Sequence, residues 1–231
     1  MFKFIFKWAL RLFFLAVVLI VLFLLSYNSI LRVVIEHNIR VQTGMDAEIG
    51  KFSLGLVSPT AEIQNFKIYN PPDFGGTPFL DIPEIHVEYD RAALAEGKIH
   101  VTLLRFNLGE LDIVKNQAGQ TNIFSLGLSV PPKKSSGGNV AANFKKQTGY
   151  DFKGIDVLNV SVGKLKYIDL KNPQNNREQT VGIENCVMKN VKSPADLAGL
   201  GLLIGLRSGD FLTSLVGQKN SGSDILKLLG Q

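Results

Sequence analysis

The chain contains few of the residues that carry enzyme chemistry or bind metals. Its 231 residues include one cysteine, Cys186, and three histidines, His37, His86 and His100. A single cysteine excludes a disulfide within the chain and a zinc site built from cysteines. Cys186 lies in the strand-like stretch IENCVMKNV, where we expect a small buried residue rather than a reactive thiol. We predict no cofactor and no metal site.

Net positive charge is also small outside the N-terminus. The net charge is +5, and Lys3, Lys7 and Arg11 contribute three of these charges, which leaves +2 for the rest of the chain. So small and scattered a charge does not predict a nucleic-acid-binding face. Asp112 and Asp169 have no carboxylate or histidine at motif spacing, so hydrolase chemistry has no support. We therefore predict that the protein is not an enzyme.

The N-terminus carries the one long apolar run, from Leu12 to Leu25. With Trp8 to Leu10 it reaches about 17 residues, the low end for a membrane-spanning helix. Arg11 can extend to the headgroups, and Trp8 and Tyr27 stand where interfacial anchors stand. The alternative is a cleaved signal peptide, but the following SYNSILRVVIEH offers no convincing cleavage site. We predict an uncleaved anchor over residues 1–26, with a cytoplasmic N-terminus and the remaining chain across the membrane.

Beyond the anchor, an imperfect amphipathic helix ends near Thr43 and Gly44, and strand-like segments follow. Short turns join most of these segments, which favours antiparallel neighbours. The segments are 46–56, 60–70, 79–91, 98–114, 154–171 and 177–191. The fold class that we predict is α+β, with a transmembrane helix continuing into a helix packed on a curved, mainly antiparallel, groove-like sheet and short apolar C-terminal helices.

The alternation of apolar residues slips within several of these strands. Ala61 and Ile63 give way to Phe66 and Ile68, and the other long segments slip in the same way. Slips of this kind are what β-bulges produce, and bulges bend a sheet. On the polar side, His86, Glu88 and His100 predict a cross-strand charge pair, with His100 opposite Glu88, rather than a metal site.

The C-terminal segment differs in kind from the strands. Ser193 to Asp196 forms a helix start, and the LAGLGLLIGL that follows is apolar nearly all round. This segment is too short to span a bilayer. It could cap the sheet, lie on a membrane surface or dock to a partner. The predicted organisation is an anchor (1–26), a helix with a first β-meander (27–126), a linker (127–153), further strands of the same sheet (154–192) and apolar helices (193–231).

The order of motifs resembles the N-terminal region of the AsmA-like proteins. After the anchor come a helix ending in TG, then EIGKFSLGL, YNPPDFGG, IHVEYD, RAALAEGKIHV and LDIVKNQAGQTNIFSL. In the last, Gly119 and Asn122 occupy the family's polar turn, and Gly163 and Asp169 match a later strand and turn pattern. The resemblance covers about residues 5 to 126 and 154 to 192, and the apolar C-terminal helices have no counterpart in it.

The resemblance implies a kinship with TamB and chorein-type bridge-like lipid transfer proteins. It implies a single-pass protein of the inner membrane of a Gram-negative-type cell, with a periplasmic β-groove that binds phospholipid for lipid transport or envelope maintenance. The implied lipid-groove residues are Ile63, Phe66, Ile68, Val87, Val101, Leu103, Phe106, Val160, Val162 and Leu165. Six to eight strands make a groove of only about 30 to 40 Å, too short to bridge two membranes. The alternative is a structural or assembly subunit, a homo-oligomer or one member of an envelope complex, that docks through its C-terminal helices.

Overall fold

The computed structural model describes residues 26–209 except 42, 56, 126–144 and 147. The predicted anchor therefore lies outside the described residues apart from Ser26, as do most of the predicted linker and residues 210–231. Within the described part of the chain, no helix is long and apolar enough to cross a membrane.

Six strands form one sheet in the order in which they occur along the chain. They are β1 (Ala47–Leu54), β2 (Thr60–Tyr69), β3 (Pro78–Tyr89), β4 (Lys98–Lys115), β5 (Asp151–Asp169) and β6 (Arg177–Val191). All neighbours are antiparallel except β4 and β5, which run parallel. The predicted α+β class with a mostly antiparallel sheet is confirmed. The parallel pair is an exception, and it requires a long crossover, here residues 116–150.

One row across the sheet explains the slips in apolar alternation. In this row the register aligns Gly50 of β1, Asn65 of β2 and Pro83 of β3, and the row continues through Gly109 of β4 and Gly163 of β5. The backbones approach closely here: a Cβ on Gly50 would lie 2.9 Å from the Asn65 Cβ, and one on Gly109 would lie 3.1 Å from the Pro83 ring. Near this row, two residues instead of one separate successive apolar residues along each strand. The apolar side chains on both sides of the row consequently share one face.

The predicted β-bulges are only part of this explanation. From β1 to β5 the register does not change near the row, because the strands slip at nearly the same level; between β3 and β4 the register sets Gly109 opposite Ile82, one residue from Pro83. Between β5 and β6 the register does shift, twice between Val160 and Lys164. There β6 accommodates the extra residues with Gly182 and Asn185, whose φ angles are 60° and 50°.

The helix α1, residues 26–41, covers the free edge of β1. Side chains spaced four residues apart reach the strand backbone: Asn28 accepts from the Leu54 N–H at 3.1 Å, Arg32 donates to the Gly50 carbonyl at 3.4 Å, and Glu36 accepts from the Ile49 N–H at 2.7 Å. Positions four apart lie on one side of a helix. These bonds satisfy edge groups that would otherwise be able to pair with another chain.

The remaining helices in the described part of the chain are short. They are α2 (Arg91–Ala95), α3 (Asn122–Ser125) and α4 (Ala198–Ser208). A 3-10 turn, Pro194–Leu197, leads into α4, and the Asp196 carboxylate accepts from the Lys192 and Ser193 N–H groups at 2.8 Å. The helix start predicted at Ser193 is therefore a 3-10 turn, after which α4 packs through its apolar side against β5 and β6.

Replacing Gly163 by alanine tests the close approach of β4 and β5. A methyl group at Gly163 would overlap the Gly109 carbonyl oxygen, so Gly163→Ala should lower the free energy of unfolding by at least about 2 kcal/mol. The control is Gly205→Ala in α4, where no atom lies within 4 Å and alanine should stabilise the helix by about 1 kcal/mol. Urea unfolding followed by circular dichroism measures both. A Gly163→Ala variant as stable as the parent would contradict the close approach.

Candidate functional site

The apolar face is continuous across the sheet. Cross-strand register places Phe66 between Ile49 and Ile82, and it places Phe106 between Ile85 and Val160. The apolar residues of β5 and β6 join those of β4 in one cluster. Residues on both sides of the glycine row therefore contribute to one surface that crosses all six strands.

A helix covers only part of this apolar face. Over β5 and β6, α4 packs with Leu197, Leu200, Leu203 and Ile204. Under it, the predicted groove residues Val160, Val162 and Leu165 are no more than 5% exposed. The predicted groove residues of β2, β3 and β4 stay half-buried instead; they are Ile63, Phe66, Ile68, Val87 and Phe106. Ile82, which lies between them, is only 5% exposed. This part of the face therefore has a buried centre surrounded by partly exposed side chains.

One of the predicted groove residues, Leu103, lies on the other face of the sheet. Leu103 pairs with Glu88, whereas its neighbour Leu104 pairs with the apolar Val87. Because adjacent strand residues point to opposite faces, Leu103 lies on the charged side and is not part of the apolar face. Val101 pairs with Ile155, which packs against the core cluster, so Val101 belongs to the apolar face but is buried there at 9% exposure.

The opposite face of the sheet is charged. Ion pairs join neighbouring strands across it: Lys67 and Asp81 at 3.8 Å, Arg105 and Glu84 at 3.0 Å, Lys166 and Glu110 at 2.7 Å, and Lys164 and Glu178 at 2.7 Å. Such exposed pairs contribute little to stability, yet they keep this face hydrated. An apolar ligand can therefore be sheltered on one face of the sheet only.

His86 and His100 contact carboxylates, but the predicted partner of His100 is wrong. His100 donates from Nε2 to Asp156 at 2.9 Å and lies 3.6 Å from Asp90, whereas Glu88 is opposite Leu103. The hydrogen bond to Asp156 raises the pKa of His100. His86 lies 3.2 Å from Glu88. Among the described residues, no group of three histidine, cysteine, aspartate or glutamate side chains is placed to hold a metal.

The predicted polar turn ends β4 with a buried asparagine. Gly119 has a φ of 83°, and the segment it belongs to leads into Asn122, which is 0% exposed. The Asn122 amide oxygen accepts from the Val114 N–H at 3.1 Å. Its amide nitrogen donates to the Asp112 carbonyl at 2.8 Å and to Oδ1 of Asn70 at 2.9 Å. Asn122 thus joins the end of β4 to the loop that connects β2 and β3.

Asp169 terminates β5 in a similar way. It is 1% exposed and accepts from the N–H groups of Lys171 and Asn172, both at 3.0 Å, while the Lys115 ammonium lies 3.6 Å away. Burial opposes its ionisation, but the hydrogen bonds from Asn172 and Asn175 lower the pKa of Asp169. Asn122 and Asp169, the polar residues of the two motifs, therefore both stabilise turns through their side chains.

Asp112 is also buried, but fewer hydrogen bonds offset the burial of its carboxylate than at Asp169. It is 5% exposed, and its Oδ1 has no hydrogen-bond partner among the described residues. Burial, together with the negative charge of Glu110, raises the pKa of Asp112 from 3.8 to about 6, and the Lys166 charge opposes this shift only in part. Asp112 is consequently a destabilising anion at neutral pH.

No protein-family model, no curated protein and no solved structure matches the chain. The resemblance to AsmA-like proteins, with the membrane location and lipid role that it implies, therefore stays a prediction.

Truncating Asn122 tests the polar end of the sheet. Asn122→Ala leaves the buried Val114 N–H and Asp112 carbonyl without partners and should cost about 3 kcal/mol of unfolding free energy. Asn122→Asp should cost more at neutral pH, because it places an anion against the oxygens of Asn70 and Asp112. Gln117→Ala is the control: its amide donates to the Leu170 carbonyl at 2.8 Å but is exposed, so about 1 kcal/mol or less is expected. Urea unfolding measures the free energy of unfolding of these variants. Equal losses for Asn122→Ala and Gln117→Ala would contradict a structural role of the buried Asn122 side chain.

The raised pKa of Asp112 predicts a specific pH dependence of stability. Between about pH 4 and pH 6 the folded state binds a proton at Asp112 that the unfolded state has lost, so this residue's contribution falls as pH rises through that window. As pH rises from about 4 to about 6, the stability of Asp112→Asn relative to the parent should therefore increase. Above about pH 6 this difference in unfolding free energy should stay constant. Glu178→Gln is the control, because the hydrogen bond from Lys164 lowers the pKa of Glu178 and no such gain is expected. A stability difference for Asp112→Asn that is independent of pH would contradict the assignment.

Proposed function

We propose that the protein is a membrane-anchored lipid-handling module that holds phospholipid acyl chains against the apolar face of β2 to β4. The observation that carries this proposal is the unequal cover of the face. Where α4 packs, the apolar side chains are buried, and beyond α4 the side chains of Ile63, Phe66, Val87 and Phe106 stay partly exposed on the same surface.

The dimensions of the face suit acyl chains. An extended strand rises about 3.3 Å per residue, so the 18 residues of β4 extend over about 60 Å. One leaflet of a bilayer has a hydrocarbon depth of about 15 Å. An acyl chain lying along β3 and β4 therefore finds continuous apolar contact, at about 0.8 kcal/mol per buried methylene, while its headgroup stays in water.

The wider setting of the proposal follows the predicted anchor. The apolar run Leu12 to Leu25 would hold the sheet at the far side of the inner membrane of a Gram-negative-type cell. The proposed role is shelter and transfer of phospholipid in cell-envelope maintenance, and it involves no catalytic residue. A sheet of six strands is about 30 Å wide, so one copy serves as a membrane-proximal module and not as a conduit between membranes.

The second candidate is an assembly subunit that docks through α4. Its support is the outer side of that helix, where Leu202 and Leu206 are 63% and 72% exposed and lie four residues apart. An exposed apolar pair on one side of a helix is a common contact for another protein. This function would use α4 as the docking surface and the remaining apolar face as a closed core.

Photolabelling distinguishes these functions. The full chain is extracted in mild detergent, reconstituted with phosphatidylethanolamine that carries a diazirine on its acyl chain, and irradiated. We expect labelled residues on β2 to β4 and none on the β5 residues beneath α4. Phe106→Asp should lower labelling at least about fivefold, whereas the control Leu103→Asp, on the charged face, should leave it unchanged.

Measurements of folding and of oligomeric state complete this test. Circular dichroism and limited proteolysis show whether Phe106→Asp stays folded. If this variant unfolds, Phe66→Ser, which removes apolar contact without adding charge, takes its place. A defined oligomer that carries no label on β2 to β4 would overturn lipid handling in favour of assembly.

A further inference from the structure

We propose that one end of the sheet docks onto the surface of an anionic lipid bilayer. This docking end consists of the β1–β2 turn (57–59), α2 with its flanks (90–97), residues 145–146 and 148–153 at the start of β5, and Lys192 after β6. The inference rests on the membrane anchoring that is part of the proposed function, but not on lipid binding by the apolar face.

Hydrogen bonds between the segments make the docking end one surface. The Arg91 guanidinium donates to the Val57 carbonyl at 2.9 Å, which joins α2 to the β1–β2 turn. The Asp151 N–H donates to the Gly97 carbonyl at 2.9 Å, which joins α2 to the start of β5. A Cβ on Gly154 would lie 3.2 Å from the Lys192 side chain, so β6 ends at the same place.

Large apolar side chains are exposed at this end. Val57 is 90% exposed, Leu94 is 37% exposed and Tyr150 is 38% exposed. They come from three different connections, and none of them packs into the core. At the opposite end of the sheet, Val41 at the end of α1 is 68% exposed, but the described loops after β2, β4 and β5 expose no large apolar side chain, and Phe74 there is 5% exposed. Exposed apolar residues with a tyrosine are typical of a surface that enters the headgroup region.

The charge of the docking end suits anionic headgroups. Its acidic groups are engaged within the protein: Asp90 caps α2, Glu96 pairs with Lys98 at 2.7 Å and Asp151 pairs with Lys145 at 2.9 Å. The exposed Lys146, Lys153 and Lys192 form no ion pair with any residue that the structure describes. A lysine near an anionic leaflet contributes about 1 kcal/mol to binding.

The start of α1 adds an independent reason for a bilayer as the occupant. The Tyr27 hydroxyl donates to the Leu54 carbonyl, so α1 begins beside the C-terminal end of β1, which is the docking end. The apolar run Leu12 to Leu25 joins α1 at this point. A chain that enters a membrane immediately before Ser26 brings Val57, Leu94 and Tyr150 towards the same surface.

Site-specific fluorescence tests the docking. In a Cys186→Ser background, Val57→Cys and the control Ala118→Cys, at the opposite end of the sheet, are labelled with an environment-sensitive dye. The full chain is reconstituted into vesicles of phosphatidylcholine with about 30% phosphatidylglycerol and a spin-labelled lipid. We expect a blue shift and at least about twofold quenching at position 57 and neither at position 118. Equal quenching at both positions, or none at position 57, would overturn the docking.

Charge reversal tests the electrostatic part. Lys153→Glu with Lys192→Glu should remove most of the difference in quenching at position 57 between anionic and pure phosphatidylcholine vesicles. The control pair, Lys171→Glu with Arg177→Glu at the opposite end, should leave that difference in place. Circular dichroism verifies folding, and a control pair with the same effect as the test pair would contradict a specific basic surface.

The outcomes separate docking from the proposed function. A chain that fails to float with vesicles overturns both anchoring and docking. A chain that floats but shows no quenching at position 57 overturns docking alone. Acyl photolabelling of β2 to β4 should persist in the Lys153→Glu and Lys192→Glu variant, because its apolar face is intact.

Discussion

The close backbone approach along the row from Gly50 to Gly163 is the constraint on which the remaining architecture depends. Near this row each strand from β1 to β5 passes two residues before its next apolar position, and because they all do so at nearly the same level the register is conserved. If one strand slipped alone, half of its apolar side chains would turn to the charged face. Glycine occupies three positions of the row because a Cβ there would meet Asn65, Pro83 or the Gly109 backbone, and Asn65 adopts a φ of 53°.

Different elements cover the β1 edge of the sheet and the apolar face over β5 and β6. At the β1 edge, α1 supplies polar side chains that bond the strand backbone, which prevents edge pairing with other chains. At the other side, α4 supplies apolar side chains that bury the face over β5 and β6. Neither device covers the face over β2 to β4. The part of the sheet with partly exposed apolar residues thus lies between a protected edge and a packed helix, where exposure carries the least risk of aggregation.

Much of this fold follows from the sequence alone, because strands of eight or more residues have strong alternation and the turns contain proline and glycine. The six strands agree with the predicted segments to within about three residues at most ends. The parallel pairing of β4 and β5 does not follow, since a long connection permits either direction. The position of Leu103 on the charged face does not follow either, because its apolar character does not reveal that β4 also passes two residues between Val101 and Leu104, where its register with β3 shifts. The spacing of Asn28, Arg32 and Glu36 is visible in the sequence, but only the structure shows that β1 lies beside it.

The site is less predictable than the fold because burial and cover depend on elements distant in the chain. Composition identifies Gly119 to Asn122 as a turn, but the complete burial of Asn122 depends on Asn70, 52 residues earlier. The two ends of the sheet differ for the same reason. Buried amides and Asp169 close the end that carries the loops after β2, β4 and β5, whereas Val57, Leu94 and Tyr150 leave the other end apolar and exposed. In the function that we propose, a lipid lying along the strands would meet hydrogen-bonded turns at the closed end and apolar side chains at the other, so we expect its exchange with a bilayer at the end where α1 begins.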